Sequence, residues 1–191
     1  MKKEIKIERV WAMPNKWTFK IKPIWKLLWE EMTPTCFPDR SKIVKGWADP
    51  FAGYNSPAEI TNDLDKKAPT TWHLDALDFL GRLKDNSMTG ILYDPPYSIT
   101  QARMYGKKEF SSMKYWADCK NEIARIIKPG GKAICFGWSS MGLGKNRGFK
   151  MQRILLVPHG GSRNDTIVTV EKKDWGDISN QLPNPNPIAN L

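Results

Sequence analysis

Residues 89–98 read TGILYDPPYS, an apolar run that ends on an acid and two prolines. Thr89 to Tyr93 has the length and composition of a strand buried on both faces. Pro95 and Pro96 have no amide hydrogen, so neither can extend a central ladder. The chain must leave the sheet at Asp94 and carry that carboxylate beyond it. Working outward, residues 43–48 (IVKGWA) read as a strand, and 57–62 (PAEITN) as a helix end or a short second strand. Residues 75–84 and 108–128 read as helices, the second closed by Pro129-Gly130-Gly131. Residues 132–138 (KAICFGW) form a further strand, and 152–158 and 165–171 form two strands joined by a Gly-Gly turn. Upstream, 23–32 is a helix with Pro23 in its first turn, 33–42 a loop, and 1–20 a basic arm or short strand. This alternation predicts an α/β fold, a mostly parallel sheet covered on both faces with a closing antiparallel hairpin at its end. Ligands of such sheets sit at the carboxyl ends of the strands, near the switch point.

The length of 191 residues fits one domain over 1–180, and the Pro/Asn-rich stretch 181–191 is predicted to be a disordered tail. Apolar residues at 40% and charged residues at 26% exclude a wholly disordered chain. No run approaches the ~18 apolar residues of a membrane span. The N-terminal MKKEIKIERV lacks the apolar segment of a signal peptide, so neither secretion nor a membrane partner is expected. Three cysteines (Cys36, Cys119, Cys135) without CxxC spacing and two histidines (His73, His159) give no reason to expect a metal site or a disulfide framework. The default compartment is a reducing cytoplasm. Thirty Lys and Arg against twenty Asp and Glu leave a net charge of +10, which attracts polyanions, nucleic acid first among them. Five of the nine tryptophans fall in the first fifty residues, enough to fill a core and still line a pocket for flat ligands such as bases.

Each predicted strand end carries a candidate group. After the 43–48 strand comes Asp49-Pro50-Phe51-Ala52-Gly53-Tyr54-Asn55-Ser56, where Ala52 and Gly53 let backbone approach a ligand closely, although an ordinary strand-to-loop turn has the same composition. Asp63 is placed to accept both hydroxyls of a ribose, or is a solvated loop acid. Asp75 can cap the helix that follows it, accept from the amino group of a bound adenine, or do both. The Asp94 carboxylate and the Asp94 and Pro95 carbonyls offer acceptors for the two hydrogens of a planar amino group, and Tyr97 offers a ring to stack on. A proline-rich turn in which Tyr97 merely packs is the alternative, and the 45 residues between Asp49 and Asp94 weigh against chance. Residues 99–116 mix Arg103, Lys107 and Lys108 with aromatics, which suits phosphate contact and base wedging or else a solvated helix face. The loop 142–148 (GLGKNRG) holds Lys145 and Arg147 but lacks the GxxxxGK[ST] pattern, so it suits contact with a DNA backbone rather than nucleotide hydrolysis. His159 reads as a structural or polar-contact residue of the hairpin loop rather than a base.

Taken in this order, the segments resemble the S-adenosylmethionine-dependent amino-group DNA methyltransferases, in their adenine-N6 branch, over roughly residues 17–171. Asp94-Pro95-Pro96-Tyr97 resembles the family's catalytic tetrapeptide and is the specific motif among them. Asp49-Pro50-Phe51-Ala52-Gly53 resembles the methionine-binding loop. Asp63 and Leu64 match the positions beside the cofactor ribose and adenine, and Asp75 with Ala76 the position at the adenine amino group. Thr18-Phe19-Lys20-Ile21-Lys22-Pro23-Ile24 resembles the N-terminal cofactor motif, with Phe19, Lys22 and Pro23 as its contacts. His159 to Asp165 resembles the hairpin loop near the target base in small phage and prophage adenine methylases, which adds His159 and Asn164 to the DNA-binding candidates Arg103, Lys107, Lys108, Lys145 and Arg147.

The resemblance implies a Rossmann-like class I methyltransferase fold, S-adenosylmethionine as cofactor, no metal, DNA as partner and, for a phage protein, the bacterial cytoplasm as location. It implies methyl transfer to the N6 amine of an adenine extruded from DNA, with a specific or loose target site. Two features depart from the family. Asn55 stands where a second glycine is usual, and asparagine is the non-glycine residue that best tolerates positive φ. A separate target-recognition region is also missing, so base reading falls to local loops or to a partner, or is loose; a homodimer and a short site both stay open. The rival readings are transfer to cytosine-N4 or to RNA, and a non-catalytic DNA-binding protein that retains the fold.

Overall fold

A computed structural model of the chain describes residues 4–33, 43–96, 112–161 and 164–174. Within them, strands β1 (Lys6–Arg9), β2 (Val44–Asp49), β3 (Ala58–Thr61), β4 (Met88–Tyr93), β5 (Ile127–Gly137), β6 (Phe149–Val157) and β7 (Thr166–Lys173) form one sheet in the order β1-β6-β7-β5-β4-β2-β3. The helices are α1 (Lys22–Met32), α2 (Ala76–Arg82) and α3 (Met113–Ile126). β7 pairs antiparallel with both β5 and β6, and every other pairing is parallel. The α/β class and the final hairpin are as expected. The hairpin does not close the sheet at its edge, however: β7 returns between β5 and β6, and the N-terminal arm supplies β1 as the outer strand.

The central strands show why their sequences are apolar at almost every position. Ile91 and Tyr93 of β4 join Ala133 and Cys135 of β5 in one core, while Leu92 joins Ile134 and Phe136 in a second. Strand side chains alternate between faces, so a continuous apolar run belongs to a strand covered on both. The first face is covered by α2 and α3 through Phe79, Leu80, Tyr115, Cys119, Ile123 and Ile126. The second is covered by α1, whose Ile24, Leu27, Leu28 and Met32 recur at i, i+3, i+4 and i+8. Pro23 sits in the first turn of α1, where a missing amide hydrogen costs nothing.

α3 ends at Ile126 because Ile127 already turns extended and opens β5. Pro129-Gly130-Gly131 therefore lies inside a strand rather than after a helix. Gly130 has φ 80°, and the pairing with β4 shifts register between Met88 and Gly90. Residues 108–111 of the predicted helix and the tail 181–191 lie outside the described residues.

Two buried charged groups fasten what the helices leave open. Arg153 of β6 bonds Glu8 of β1 as well as Glu30 and Glu31 of α1, the last two at 2.7 and 3.2 Å. Glu171 of β7 accepts from the amides of Leu143 and Gly144 in the 138–148 crossover between β5 and β6. Burial pushes the Glu171 carboxyl up, against the pull of those amides and of Lys120 and Arg147. The crossover thus takes the place of a covering helix, with Leu143 buried beside Phe149.

Trp47 and Gly90 are partners across β2 and β4, and a Cβ on Gly90 would come within 2.6 Å of the Trp47 ring. Gly90→Ala is expected to destabilise the fold by ~1–3 kcal/mol through overpacking, read as a lower denaturation midpoint. An unchanged midpoint would mean that the ring moves aside.

Candidate functional site

The loop after β2 leads to β3 on one side, and the chain after β4 leads to β5 on the other. Their carboxyl ends therefore part, and a crevice opens at this switch point. A cavity of about 530 Å³ occupies it. Pro50, Phe51, Ala52, Gly53 and Asn55 line it from β2, Asp63 and Leu64 from β3, Ala76 from α2, and Asp94, Pro95 and Pro96 from β4. Sequence candidates that lie far apart in the chain thus share one wall.

Asp49 is not in that wall. It is fully buried behind it, where its carboxylate accepts from the Phe51 amide at 2.9 Å and the Ser56 hydroxyl at 2.7 Å. Its role is to fold the loop. Burial pushes its carboxyl up to about 7, with a further upward push from Asp94 and Asp63. Asp63 accepts from the Gly53 amide at 2.9 Å and the Asp65 amide at 2.8 Å, which locks the two acidic segments to the glycine turn. Gly53 has φ 53°, and a Cβ there would meet no protein atom within 4 Å, so its missing side chain leaves open space. Asn55 lines the cavity without positive φ: among the described residues Asn86 is the one non-glycine residue in that region. The turn therefore asks no left-handed backbone of Asn55.

Asp75 caps α2. Its Oδ1 accepts from the Leu77 amide and the Tyr115 hydroxyl, both at 2.9 Å, and it does not line the cavity. Of its two expected roles the structure displays the cap, and Ala76 provides the wall. Phe19 lines the cavity and packs on Phe136 at 5.3 Å, whereas Lys22 and Pro23 belong to the first turn of α1 and do not.

Lys16, Trp17 and Asn62, which no motif read from the sequence includes, complete the site together with Thr18 of the N-terminal motif and Tyr54 of the β2 loop. Lys16, Trp17 and Thr18 line the cavity, with Trp17 5.1 Å from the Tyr54 ring and the Lys16 ammonium 4.7 Å from the Trp17 ring. The Tyr54 hydroxyl donates to Asp65 at 3.0 Å. Asn62, 1% exposed, ties the loops together by donating to the Pro50 and Leu74 carbonyls and accepting from the Leu74 amide. A buried asparagine at a strand end was the available signal for it. No linear pattern shows that the arm crosses the β2 loop.

The DNA-binding candidates separate. Lys145 and Arg147 immediately precede the amino end of β6, at the opposite end of the parallel strands from Asp94. Arg147 bonds Asn121 at 2.8 Å and the Leu143 carbonyl at 3.0 Å, so it holds the crossover. His159 is buried, with Nδ1 2.9 Å from the Ala12 carbonyl and Nε2 2.9 Å from the Thr166 hydroxyl. Its ring fastens the arm to the hairpin. Asn164 is exposed at the carboxyl end of the sheet. Tyr97, Arg103, Lys107 and Lys108 lie outside the described residues. Among those described, no group of three or more His, Cys, Asp or Glu is arranged to hold a metal ion, and no helix is long and apolar enough to cross a membrane.

No protein-family model matches the chain, and no curated protein matches it either. Among solved structures it is similar to TrmN from Thermus thermophilus, at 16% identity and a TM-score of 0.52, over 80% of this chain and 49% of that one. It is also similar to the 1,6-didemethyltoxoflavin-N1-methyltransferase of Burkholderia thailandensis, solved with bound 1,6-didemethyltoxoflavin and S-adenosylhomocysteine, at 11% identity and a TM-score of 0.49, over 67% of this chain and 70% of that one. The chain spans about half the length of the TrmN chain that it matches. At 16% identity the likeness to TrmN shows the fold alone, and with the strand order given above that fold is Rossmann-like.

The Asp49 site has a thermodynamic consequence. The carboxyl ionises near 3.8 when unperturbed but only near about 7 in the folded chain. Across that window the folded state holds the extra proton, so stability falls as pH rises, by up to ~1.4 kcal/mol per unit. Asp49→Asn keeps the shape and removes the titration. Chemical denaturation should show the variant gaining on the wild type from about pH 4 to about pH 7 and holding a level difference above. A constant difference across that range would place the proton elsewhere.

Proposed function

We propose that this chain is an S-adenosylmethionine-dependent methyltransferase acting on the N6 amine of adenine in DNA, within a single domain over residues 1–180. The observation that carries the reading is the switch-point cavity with Asp94-Pro95-Pro96 as one of its walls. The methyltransferase fold, the resemblance of residues 94–97 to the catalytic tetrapeptide, and the net charge of +10 support it.

The cavity fits the cofactor. Its volume suits a nucleoside-sized ligand. The open space at Gly53 admits close approach to backbone, and Asp63 and Asp65 offer acceptors for ribose hydroxyls. Leu64 and Leu74 offer apolar surface for a purine. The acids Asp63, Asp65 and Asp94 around the cavity, with Asp49 behind it, favour a cationic ligand. When bound, the cofactor supplies a methyl group already activated by its sulfonium charge.

The protein's part is alignment, desolvation and charge placement. The amine of adenine is a poor nucleophile because its lone pair is delocalised into the ring. Asp94 and the Pro95 carbonyl accept its hydrogens and favour a pyramidal nitrogen whose lone pair faces the methyl. Asp94 or water then takes the proton that the methylated amine gives up. Inside a duplex the amine is out of reach, so the base is extruded, at a cost of a few kcal/mol, and stacked. Tyr97 is proposed as one stacking ring, and Arg103, Lys107, Lys108 and Asn164 as DNA contacts. Aspartate rather than serine or asparagine at position 94 favours adenine in DNA over cytosine or RNA, by resemblance.

Transfer of labelled methyl from S-adenosylmethionine to unmethylated DNA, followed by nucleoside analysis, tests this. Wild type should yield N6-methyldeoxyadenosine. Asp94→Ala should lose transfer by ~10²-fold or more while still binding cofactor, and substantial turnover by that variant would sink the mechanism. Tyr97→Ala should depress transfer far more than cofactor affinity. Equal losses would count against stacking at that ring.

A further inference from the structure

From Arg9 to Lys22 the chain carries four cations, Arg9, Lys16, Lys20 and Lys22, and no acid, with Trp11 and Trp17 among them. This arm keeps to the sheet after β1. The Val10 and Ala12 amides donate to the Leu156 and Pro158 carbonyls at 3.0 and 3.2 Å, so the arm follows β6 to its carboxyl end, where His159 holds the Ala12 carbonyl. The Asn15 side chain then accepts from the Trp17 amide at 2.9 Å, and Phe19 packs on Phe136 near the end of β5. Lys16, Trp17 and Thr18 line the cavity that Asp94 also lines. The arm thus crosses the carboxyl ends of the strands from the β6–β7 turn to the cavity. In the sheet order β6 and β2 lie four strand spacings apart. That is ~19 Å, the rise of about five to six base pairs.

Trp11 is 59% exposed and Met13 68%, and Lys16 and Lys20 are exposed as well. The Trp11 indole rests against the β6–β7 turn, where a Cβ on Gly160 would lie 3.4 Å from its nitrogen. Among the described residues that ring has no aromatic partner and no hydrogen bond, and neither Lys16 nor Lys20 forms an ion pair. Both ammonium groups stand over the Trp17 ring instead, at 4.7 and 6.0 Å. The acids that line the cavity, Asp63, Asp65 and Asp94, come after β3 and β4 and not from the arm. Cations interleaved with flat rings match a polyanion that carries flat bases. Because the arm is fastened at His159, Asn15 and Phe19, little ordering is left for binding to cost.

We propose that the arm from Trp11 to Lys20 is a DNA-docking strip, with the Lys20 ammonium on a phosphate and the Trp11 indole against a base that flanks the target. The proposal rests on the methyl-transfer reading above and adds to it the surface on which the flanking DNA lies. One end of the strip is the rim of the cavity, so DNA held along it runs toward Asp94.

The test uses the full chain as wild type, Trp11→Ala, Lys20→Gln and Lys128→Gln. Lys128 opens β5 at the opposite end of the parallel strands, so its variant loses the same charge away from the strip. Affinity for a fluorescently labelled, unmethylated DNA duplex is measured across a series of salt concentrations, together with S-adenosylmethionine affinity, the denaturation midpoint and the sedimentation mass. Lys20→Gln should weaken DNA binding and reduce the slope of log Kd against log salt by about one. Trp11→Ala should weaken binding roughly 5- to 100-fold and leave that slope unchanged. Lys128→Gln should keep the wild-type slope, and cofactor affinity and midpoint should stay level throughout. Equal effects of Lys20→Gln and Lys128→Gln would overturn the proposal, since net charge alone would then explain both. So would wild-type DNA affinity in Trp11→Ala, and a lower sedimentation mass in that variant would assign the ring to contact between copies of the chain. A fall in midpoint or cofactor affinity in step with DNA affinity would also overturn it, as a structural role. Wild type that binds S-adenosylmethionine but neither binds nor methylates DNA would instead overturn the functional reading, and this proposal with it.

Discussion

Past Tyr93 the chain has no amide hydrogen to offer at Pro95 or Pro96, and that absence in the middle of a seven-stranded sheet shapes the rest. A central strand whose neighbours run on must either keep its ladder or release them. β4 stops, and its end is held rigid by two fixed φ angles. Because β2 sends its chain one way and β4 sends it the other, the release point is also where the sheet's connections diverge. A ligand cavity and a carboxylate in its wall both follow from this arrangement.

Among the described residues three helices cover the sheet, and buried charge adds fastenings of its own. α1 covers one face, including Leu155 and Val157 of β6 and Val168 and Val170 of β7, and α2 with α3 the other, while Arg153, Glu171 and the crossover loop add polar fastenings at β6 and β7. Each of these buried charges has partners fixed by the fold: three carboxylates for Arg153, two amides for Glu171. Removing one partner from such a group leaves a desolvated charge, so the arrangement penalises any other placement of the arm and crossover. His159 acts in the same way on a smaller scale, with both ring nitrogens engaged between Ala12 and Thr166.

At the site itself, the acids divide by burial. Asp49 folds the β2 loop from behind the wall and pays for its position with a carboxyl that is reluctant to ionise. Asp63 fastens the glycine turn, Asp75 caps a helix, and Asp94 faces the cavity. Four aspartates that look alike in the sequence thus have different tasks, decided by which amides and hydroxyls reach them.

What the sequence determined by itself follows from local physics. The apolar run Gly90 to Tyr93, followed by Asp94 and two prolines, reads as a buried strand that stops, because proline cannot donate. Pro23 starts a helix, and Asp75 caps one, because both act on the nearest turn. The strand-helix alternation and the cluster of Asp49, Asp63 and Asp94 at strand ends were legible for the same reason. What only the tertiary structure decided involves distance along the chain. The return of β7 between β5 and β6 depends on which strands meet across the sheet. The entry of Lys16 and Trp17 into the cavity depends on where the arm crosses the β2 loop. The placing of Lys145 and Arg147 at the far end follows from strand direction, and the duty of His159 from a carbonyl 147 residues away. Local rules act through the backbone within a few residues, whereas these contacts exist only once the sheet has brought remote segments together.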